Sequence, residues 1–238
     1  MKKMNELKIK LFLDGANLAD LKTLADVAHI QGFTTNPSLM KKAGITDYEA
    51  FVKAALPLIK NKPISFEVFA DDFSEMKRQA LKLKNYGPNV YVKIPITNTK
   101  QESALPLIKE LVNEGVKLNI TAILILEQVK NLAAVLKNGV PSIISVFAGR
   151  IADTGVDPSP MMRESRKLLK NIAGAELLWA STREVLNIIQ AEEAGCDIIT
   201  VPVDILKKIS FIGCDLRQFS LETVQQFYED ARSSGFKL

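Results

Sequence analysis

The sequence predicts an α/β protein: a single-domain (β/α)8 TIM barrel with an extra C-terminal helix. Three observations carry that expectation. Short apolar runs rich in Val, Ile and Phe alternate with longer amphipathic stretches along the whole chain. Around eight such pairs fit into 238 residues, close to the roughly 250 typical of this barrel. No linker rich in Pro, Gly or Ser divides the chain, so residues 1–238 read as one domain. With 47% hydrophobic and 24% charged residues, the composition supports one large core and excludes disorder. A doubly wound open sheet is the alternative. It is disfavoured because the first strand-to-helix turn, Leu-Asp-Gly-Ala-Asn-Leu, lacks the GxGxxG spacing through which a backbone approaches a pyrophosphate.

In chain order, the first strand is the apolar run Lys8 to Asp14, and the amphipathic stretch Asp20 to Ala28 is its helix. Gly32 to Asn36 is the second strand, followed by the helical pattern Tyr48 to Lys60. Ile64 to Phe69 with Phe73 to Asn85 forms the third pair, and Val90 to Ile96 with Gln101 to Glu114 the fourth. The fifth is Lys117 to Ile123 with Leu126 to Asn138, and the sixth Ser142 to Phe147 with Pro160 to Ile172. Glu176 to Ser181 with Arg183 to Ala194 is the seventh, and Ile198 to Val203 with Asp204 to Ser210 the eighth. One further helical pattern, Leu221 to Ser233, falls in a C-terminal extension placed at residues 217–238. It is expected to pack over the barrel or to reach a neighbouring subunit.

The net charge of +4 comes from 31 basic and 27 acidic residues spread along the chain. That is a solvated surface with a mild preference for anionic ligands, so no nucleic-acid partner is expected. No apolar run approaches the roughly 18 residues of a membrane span, and the N-terminus lacks a signal-peptide pattern; a cytoplasmic protein with no membrane partner is the expectation. Cys196 and Cys214 lie in different elements without CxxC spacing and indicate neither a disulfide nor a sulfur-ligated metal. The single histidine, His29, sits near the end of the first helix; Ser-His and Cys-His pairs and His-rich metal sites would have no second imidazole.

Function is carried by polar residues inside apolar strands, because catalytic groups of a (β/α)8 barrel come from the C-terminal ends of several strands. Strand one ends on Asp14, strand three carries Glu67, strand four Lys93, and strand five Asn119 and Thr121. Strand six delivers Ser145 and Arg150, and strand seven Ser181 and Arg183. The period of two turns Val92, Ile94 and Ile96 toward the helices and Tyr91, Lys93 and Pro95 toward the barrel axis. An interior ammonium is costly unless paired or deprotonated, and a lysine that readily gives up its proton is the usual nucleophile toward carbonyl groups. Asp14 and Glu67 are the carboxylates available to serve it. Two other readings exist: a buried ion pair with no chemistry, and an all-oxygen Mg²⁺ site on the two carboxylates, with which the lysine would compete. Arg150 and Arg183 at the ends of adjacent strands suit a phosphate group.

Beyond this chemistry, the residues resemble a known family. Gly-Phe-Thr-Thr-Asn-Pro-Ser-Leu-Met at Gly32 to Met40 resembles the Thr-Thr-Asn-Pro-Ser signature of the transaldolases, and Val-Tyr-Val-Lys-Ile-Pro-Ile-Thr their Schiff-base lysine motif. The resemblance continues through Leu-Asn-Ile-Thr-Ala, Ser-Val-Phe-Ala-Gly-Arg-Ile-Ala-Asp, Trp-Ala-Ser-Thr-Arg and Ile-Thr-Val-Pro-Val-Asp, covering nearly the whole chain in order. The length is similar to that of the small transaldolase and fructose-6-phosphate aldolase subgroup. The resemblance implies Lys93 as the Schiff-base lysine, Asp14 as general base or acid, and Glu67 and Thr121 as holders of a catalytic water. It further implies that Asn36, Asn119 and Ser145 bind dihydroxyacetone hydroxyls, with Arg150, Ser181 and Arg183 at the sugar phosphate. Three departures remove no catalytic group: Gly15 after Asp14 where threonine is usual, Phe33 where a smaller residue is usual, and no glycine in Lys100-Gln101-Glu102.

The activity so implied is transfer of a dihydroxyacetone unit from fructose 6-phosphate or sedoheptulose 7-phosphate to erythrose 4-phosphate or glyceraldehyde 3-phosphate, as in the pentose phosphate pathway. It calls for no cofactor and no metal. The alternative within the family is an aldolase that releases free dihydroxyacetone, where a glutamine and a tyrosine typically stand at the positions of Glu67 and Phe147; both residues here side with transaldolase. A reading of another class is a catalytically silent sugar-phosphate-binding barrel. The resemblance also implies a homo-oligomer, with a decamer of pentameric rings as one form.

Overall fold

The computed structural model describes residues 6–237. Eight parallel strands close in sequence order, and β1 pairs with both β2 and β8. The strands are β1 (Lys10–Asp14), β2 (Ile30–Thr34), β3 (Ile64–Glu67), β4 (Val90–Pro95), β5 (Leu118–Ile123), β6 (Ser142–Val146), β7 (Ala175–Trp179) and β8 (Ile198–Pro202). Among the described residues, eleven helices surround or extend them. These are α1 (Leu18–Ala25), α2 (Pro37–Lys42), α3 (Tyr48–Leu58), α4 (Phe73–Lys84), α5 (Leu105–Asn113) and α6 (Leu126–Ala133), then α7 (Ala148–Ala152), α8 (Ser159–Leu169), α9 (Leu186–Glu193), α10 (Val203–Leu206) and α11 (Leu216–Ser233). The barrel read from the sequence is the fold observed.

Alternation along each strand divides the core into two parts. Leu11 and Leu13 of β1, Phe66 of β3, Val92 and Ile94 of β4 and Trp179 of β7 belong to the large cluster that also takes in helix residues such as Leu21, Val52 and Met76. A second cluster joins Phe12, Ile143, Leu178, Ala180 and Ile198, with Tyr91 and Phe147 against it. Side chains from β1, β4 and β6, which are not neighbours in the sheet, meet only across the barrel axis, so this cluster fills the interior. Gly32 in β2 makes room for it: a Cβ there would lie 2.5 Å from the Phe12 ring. Two residues further along the same strands the character changes. Phe12 gives way to Asp14, Gly32 to Thr34, Tyr91 to Lys93, Ile143 to Ser145 and Ile198 to Thr200. An apolar floor therefore carries a polar layer at the C-terminal ends of the strands.

Several boundaries differ from the sequence expectation. The second strand lies two residues earlier than Gly32 to Asn36, because Asn36 leaves the sheet to cap α2: its side chain accepts from the Leu39 N–H at 2.9 Å, and Pro37 takes the first helical position. Neither α2 nor the short α7 after β6 was anticipated. The helix expected from Gln101 starts at Leu105, since Gln101 adopts φ 64 and Thr97 bridges Ser103 across the intervening loop. The stretch Asp204 to Ser210 divides into α10 and a 3-10 turn at Ile209–Phe211. The C-terminal helix begins at Leu216 rather than Leu221, because Asp215 accepts from the Arg217 and Gln218 N–H groups. It ends at Ser233, so the extension placed at 217–238 is helical over most but not all of its described residues. No helix among the described residues is long and apolar enough to cross a membrane.

Candidate active site

A cavity of about 470 Å³ opens at the C-terminal ends of the strands. Lys93, only 6% exposed, lines it. Glu67 and Lys93 are register partners on β3 and β4, which brings Glu67 Oε2 to 3.0 Å from Lys93 Nζ. The ammonium also donates to the Thr35 carbonyl at 3.2 Å. Asp14 enters from β1, where Thr34, its register partner on β2, donates from Oγ1 to Asp14 Oδ1 at 2.8 Å. Burial pushes the Asp14 carboxyl above its ordinary value and nearby Glu67 adds to this, while the Lys93 charge and the Thr34 hydroxyl act in the opposite direction. The layer thus places one amine between two carboxylates, one of which holds its charge reluctantly.

Thr121 reaches the same space by the alternation of β5, two positions beyond Asn119 and in register with Pro95 of β4. The pairing of β5 with β6 shifts between Ile120 and Ile123, and Ala122 takes φ 61. Thr121 Oγ1 is buried with no hydrogen-bond partner among the described residues, and the residue lines the cavity. A buried hydroxyl without a partner calls for an explanation, and an incoming ligand or water would supply one. Beside it, Asn119 accepts from Ser145 Oγ at 2.7 Å and donates to Ser65 Oγ at 2.9 Å. Asn119 is fully buried and does not line the cavity; it holds Ser145, which does. Asn36 also lines it, with its side-chain oxygen committed to capping α2.

The far wall is built by α7 against the end of β7. The Gly149 N–H donates to the Ala180 carbonyl at 3.2 Å, and a Cβ at Gly149 would fall 1.6 Å from the Ser181 carbonyl oxygen. Only glycine permits that approach. Ser181 itself has φ 62, an unusual backbone conformation for serine that turns the chain at the rim. Arg150 on α7 lies over the Phe147 ring, 5.3 Å from its centroid, and both line the cavity with Ser181. Arg183 does not. Its guanidinium is bound to Asp153 through Nε at 3.0 Å and Nη2 at 2.6 Å, and its Nη1 donates to the Ser181 carbonyl at 3.0 Å. Among the described residues no group of three or more His, Cys, Asp or Glu side chains gathers as a metal-ligand set.

Residues 11–238 match the family described as Transaldolase/Fructose-6-phosphate aldolase. The chain belongs to this family. It is 35% identical to a probable transaldolase of Nitrosopumilus maritimus over 229 residues, covering 95% of this chain and 98% of the relative. Against a probable transaldolase of Bartonella henselae the identity is 33% over 228 residues, with 95% and 98% covered. Among solved structures, the barrel is similar to QR15, an aldolase, at a TM-score of 0.56 and 15% identity, covering 86% of this chain and 98% of that one. A dihydrodipicolinate synthase family protein from Coccidioides immitis gives a TM-score of 0.60 at 14% identity, with 96% and 78% covered. At such identities these two likenesses concern the fold alone.

In this member of the transaldolase/fructose-6-phosphate aldolase family, the cavity brings together Asp14, Asn36, Glu67, Lys93, Thr121, Ser145, Phe147, Arg150 and Ser181. Asn119 stands behind it and Arg183 at its rim. Sequence reasoning missed Thr34, Ser38 and Thr200, which also line it. For Thr34 and Thr200 the signal was available: each follows an inward-facing residue of its strand by two positions, the same alternation that pointed Lys93 inward.

Proposed function

We propose that the protein is a transaldolase acting through a Schiff base on Lys93. The observation that carries this reading is an almost fully buried lysine, facing a polar cavity, 3.0 Å from one carboxylate and beside a second whose protonation burial favours. Lys93, as the neutral amine, attacks the C2 carbonyl of a ketose phosphate, and water leaves to give an iminium. Asp14 takes the proton of the C4 hydroxyl as the C3–C4 bond breaks, and the iminium accepts the electron pair. The aldose phosphate departs, and the three-carbon unit waits on Lys93 as an enamine for an acceptor aldehyde. Glu67 and the unpartnered Thr121 hydroxyl are suited to hold the water of imine formation and hydrolysis. Asn36 and Ser145, the latter supported by Asn119, are suited to the ketose hydroxyls. Arg150 with Ser181 is suited to the phosphate. Arg183 enters this reading at the rim, bracing the Ser181 carbonyl unless a phosphate draws it from Asp153.

Transfer rather than release is supported by Phe147, which presents a ring without a hydroxyl to the cavity, so nothing at that position relays a proton to water. The aldolase branch of the family is the second reading. Free cysteines at Cys196 and Cys214 and sugar-phosphate substrates fit a cytoplasmic protein. The unburied face of α11 supports a homo-oligomer. The deciding assay supplies fructose 6-phosphate with and without erythrose 4-phosphate and follows both sedoheptulose 7-phosphate and free dihydroxyacetone. Sedoheptulose 7-phosphate formed only with acceptor, and little free dihydroxyacetone without it, is the expected result. Comparable release without acceptor would select the aldolase, and inactivity in both arms the silent barrel. Borohydride added with fructose 6-phosphate should fix a three-carbon adduct on Lys93, read by mass spectrometry; an active enzyme labelled on another lysine would overturn the mechanism.

A further inference from the structure

Thr34 and Thr200 reach the cavity from β2 and β8, the two neighbours of β1, and the reaction above gives Thr200 no task. Both side chains are buried, at 2% and 4% exposure. Thr34 Oγ1 lies 2.8 Å from Asp14 Oδ1, and the same oxygen is in hydrogen-bond contact with Thr200 Oγ1. A hydroxyl has one proton to give. If the Thr34 proton goes to the Asp14 carboxylate, the contact with Thr200 must run the other way, with Thr200 donating. The order is then Thr200 to Thr34 to Asp14. Thr200 is well placed for this: its strand carbonyl accepts from Thr182 Oγ1 at 2.7 Å, and its register partner is Phe12, one layer below Asp14.

We propose that Thr200 is a positioning residue for Asp14: its hydroxyl orients the Thr34 hydroxyl to donate to the carboxylate, and so keeps Asp14 ready to accept a proton. The charged groups that face Asp14 from other strands are Lys93 on β4 and Glu67 on β3. Both remain when Thr200 is changed, so they form a constant background. Hydrogen-bond chains strengthen each member by roughly 10–30%. Losing the far donor weakens the bond on the carboxylate and leaves the Thr34 hydroxyl free to turn elsewhere. The carboxyl then takes up its proton at a higher pH.

The kinetic side of this inference rests on Asp14 being the base of the proposed reaction; the direction of the hydrogen bonds does not. The test is therefore a ¹³C NMR titration of the Asp14 carboxyl in the full-length protein, assigned by comparison with Asp14→Asn, beside the pH profile of kcat/KM on fructose 6-phosphate. Thr200→Val should raise the carboxyl midpoint by about 0.3–0.7 pH unit and move the acid limb of the profile with it. Thr200→Ser, which keeps the hydroxyl, should restore both. Thr34→Val should move them further, and adding Thr200→Val to it should move them no more, because Thr200 acts only through Thr34. Thr200→Ala removes the same hydroxyl without the valine's extra methyl and is read instead if the valine variant does not fold. An unmoved midpoint in Thr200→Val or Thr200→Ala, a serine variant that behaves like valine, or a further shift in the double variant would overturn the proposal. If the wild type does not process sugar phosphates, the transaldolase reading fails while the carboxyl titration still decides this one.

Discussion

Asp14 shows at the scale of one residue how the site is placed at the expense of stability. Burial raises its folded-state pKa above the ordinary aspartate value. The protonated form of such a group favours folding and the ionised form opposes it. Its stabilising contribution is therefore full below the unfolded value of about 3.9 and is lost as pH rises through the folded value. Asp14→Asn keeps the shape, removes the charge and leaves Glu67 opposite Lys93. It should melt at a higher temperature than the wild type at neutral pH, with the gain shrinking as pH falls toward 4, while transfer activity is lost. Melting curves at several pH values check this, and a gain that does not change with pH would remove the electrostatic account. Arg150 and Arg183 separate at the same scale. Arg150 lines the cavity whereas Arg183 is held by Asp153. Arg150→Ala should remove a charge-assisted contact of about 1.5–3 kcal/mol, lowering kcat/KM for phosphorylated sugars roughly ten- to hundredfold with little change for unphosphorylated ones. Equal losses for both would make Arg150 structural.

At the scale of elements, the wall of the site depends on how closely α7 docks on the end of β7. With a Cβ at Gly149 only 1.6 Å from a backbone oxygen, no side chain can turn away to relieve the clash. Gly149→Ala should lower the urea midpoint, with an overpacking cost of about 1–3 kcal/mol or more, and should weaken phosphate selectivity by displacing Arg150. Gly15 is the contrast. The nearest atom to a Cβ there is Leu13 Cγ at 3.9 Å, and its φ is not positive. Gly15→Ala should therefore stabilise by about 0.4–1 kcal/mol. The same scale explains what the sequence made legible. Strands announced themselves because a residue's facing repeats every second position, and one polar residue in such a run, Lys93 or Asn119, is conspicuous. Helices of five or six residues such as α7 and α2 span fewer than two turns, too short for an amphipathic period to register. Asn36-Pro37 accordingly read as the end of a strand instead of a helix cap. Arg183 looked free for phosphate because nothing local in its sequence reveals Asp153, which the fold brings alongside from the end of α7.

For the whole molecule, the barrel accounts for every part of the described chain except α11. This helix has eighteen residues and none of them is buried. Leu216, Phe219, Val224 and Phe227 are exposed at 74%, 40%, 61% and 66%. At 100° per residue they fall within an arc of roughly 140°. One aromatic contact, Phe211 on Phe219 at 5.2 Å between ring centroids, ties the start of the helix to the segment before it. An apolar stripe of this kind, left in water, favours association, and the homo-oligomer proposed above gives it a partner in a second copy of the chain. Sedimentation of the wild type at micromolar concentration should show a species larger than a monomer. Val224→Asp with Phe227→Asp puts two charges into the stripe and should shift the distribution toward smaller species. No residue of α11 lines the cavity. The dissociated variant should therefore keep its barrel, measured by circular dichroism, and should still form the borohydride-trapped adduct on Lys93. A wild type that sediments as a monomer would break the link between α11 and assembly. An oligomeric wild type unaffected by the two aspartates would place the interface on another face of the barrel. Loss of the Lys93 adduct on dissociation, with the barrel intact, would show instead that a neighbouring copy completes the site.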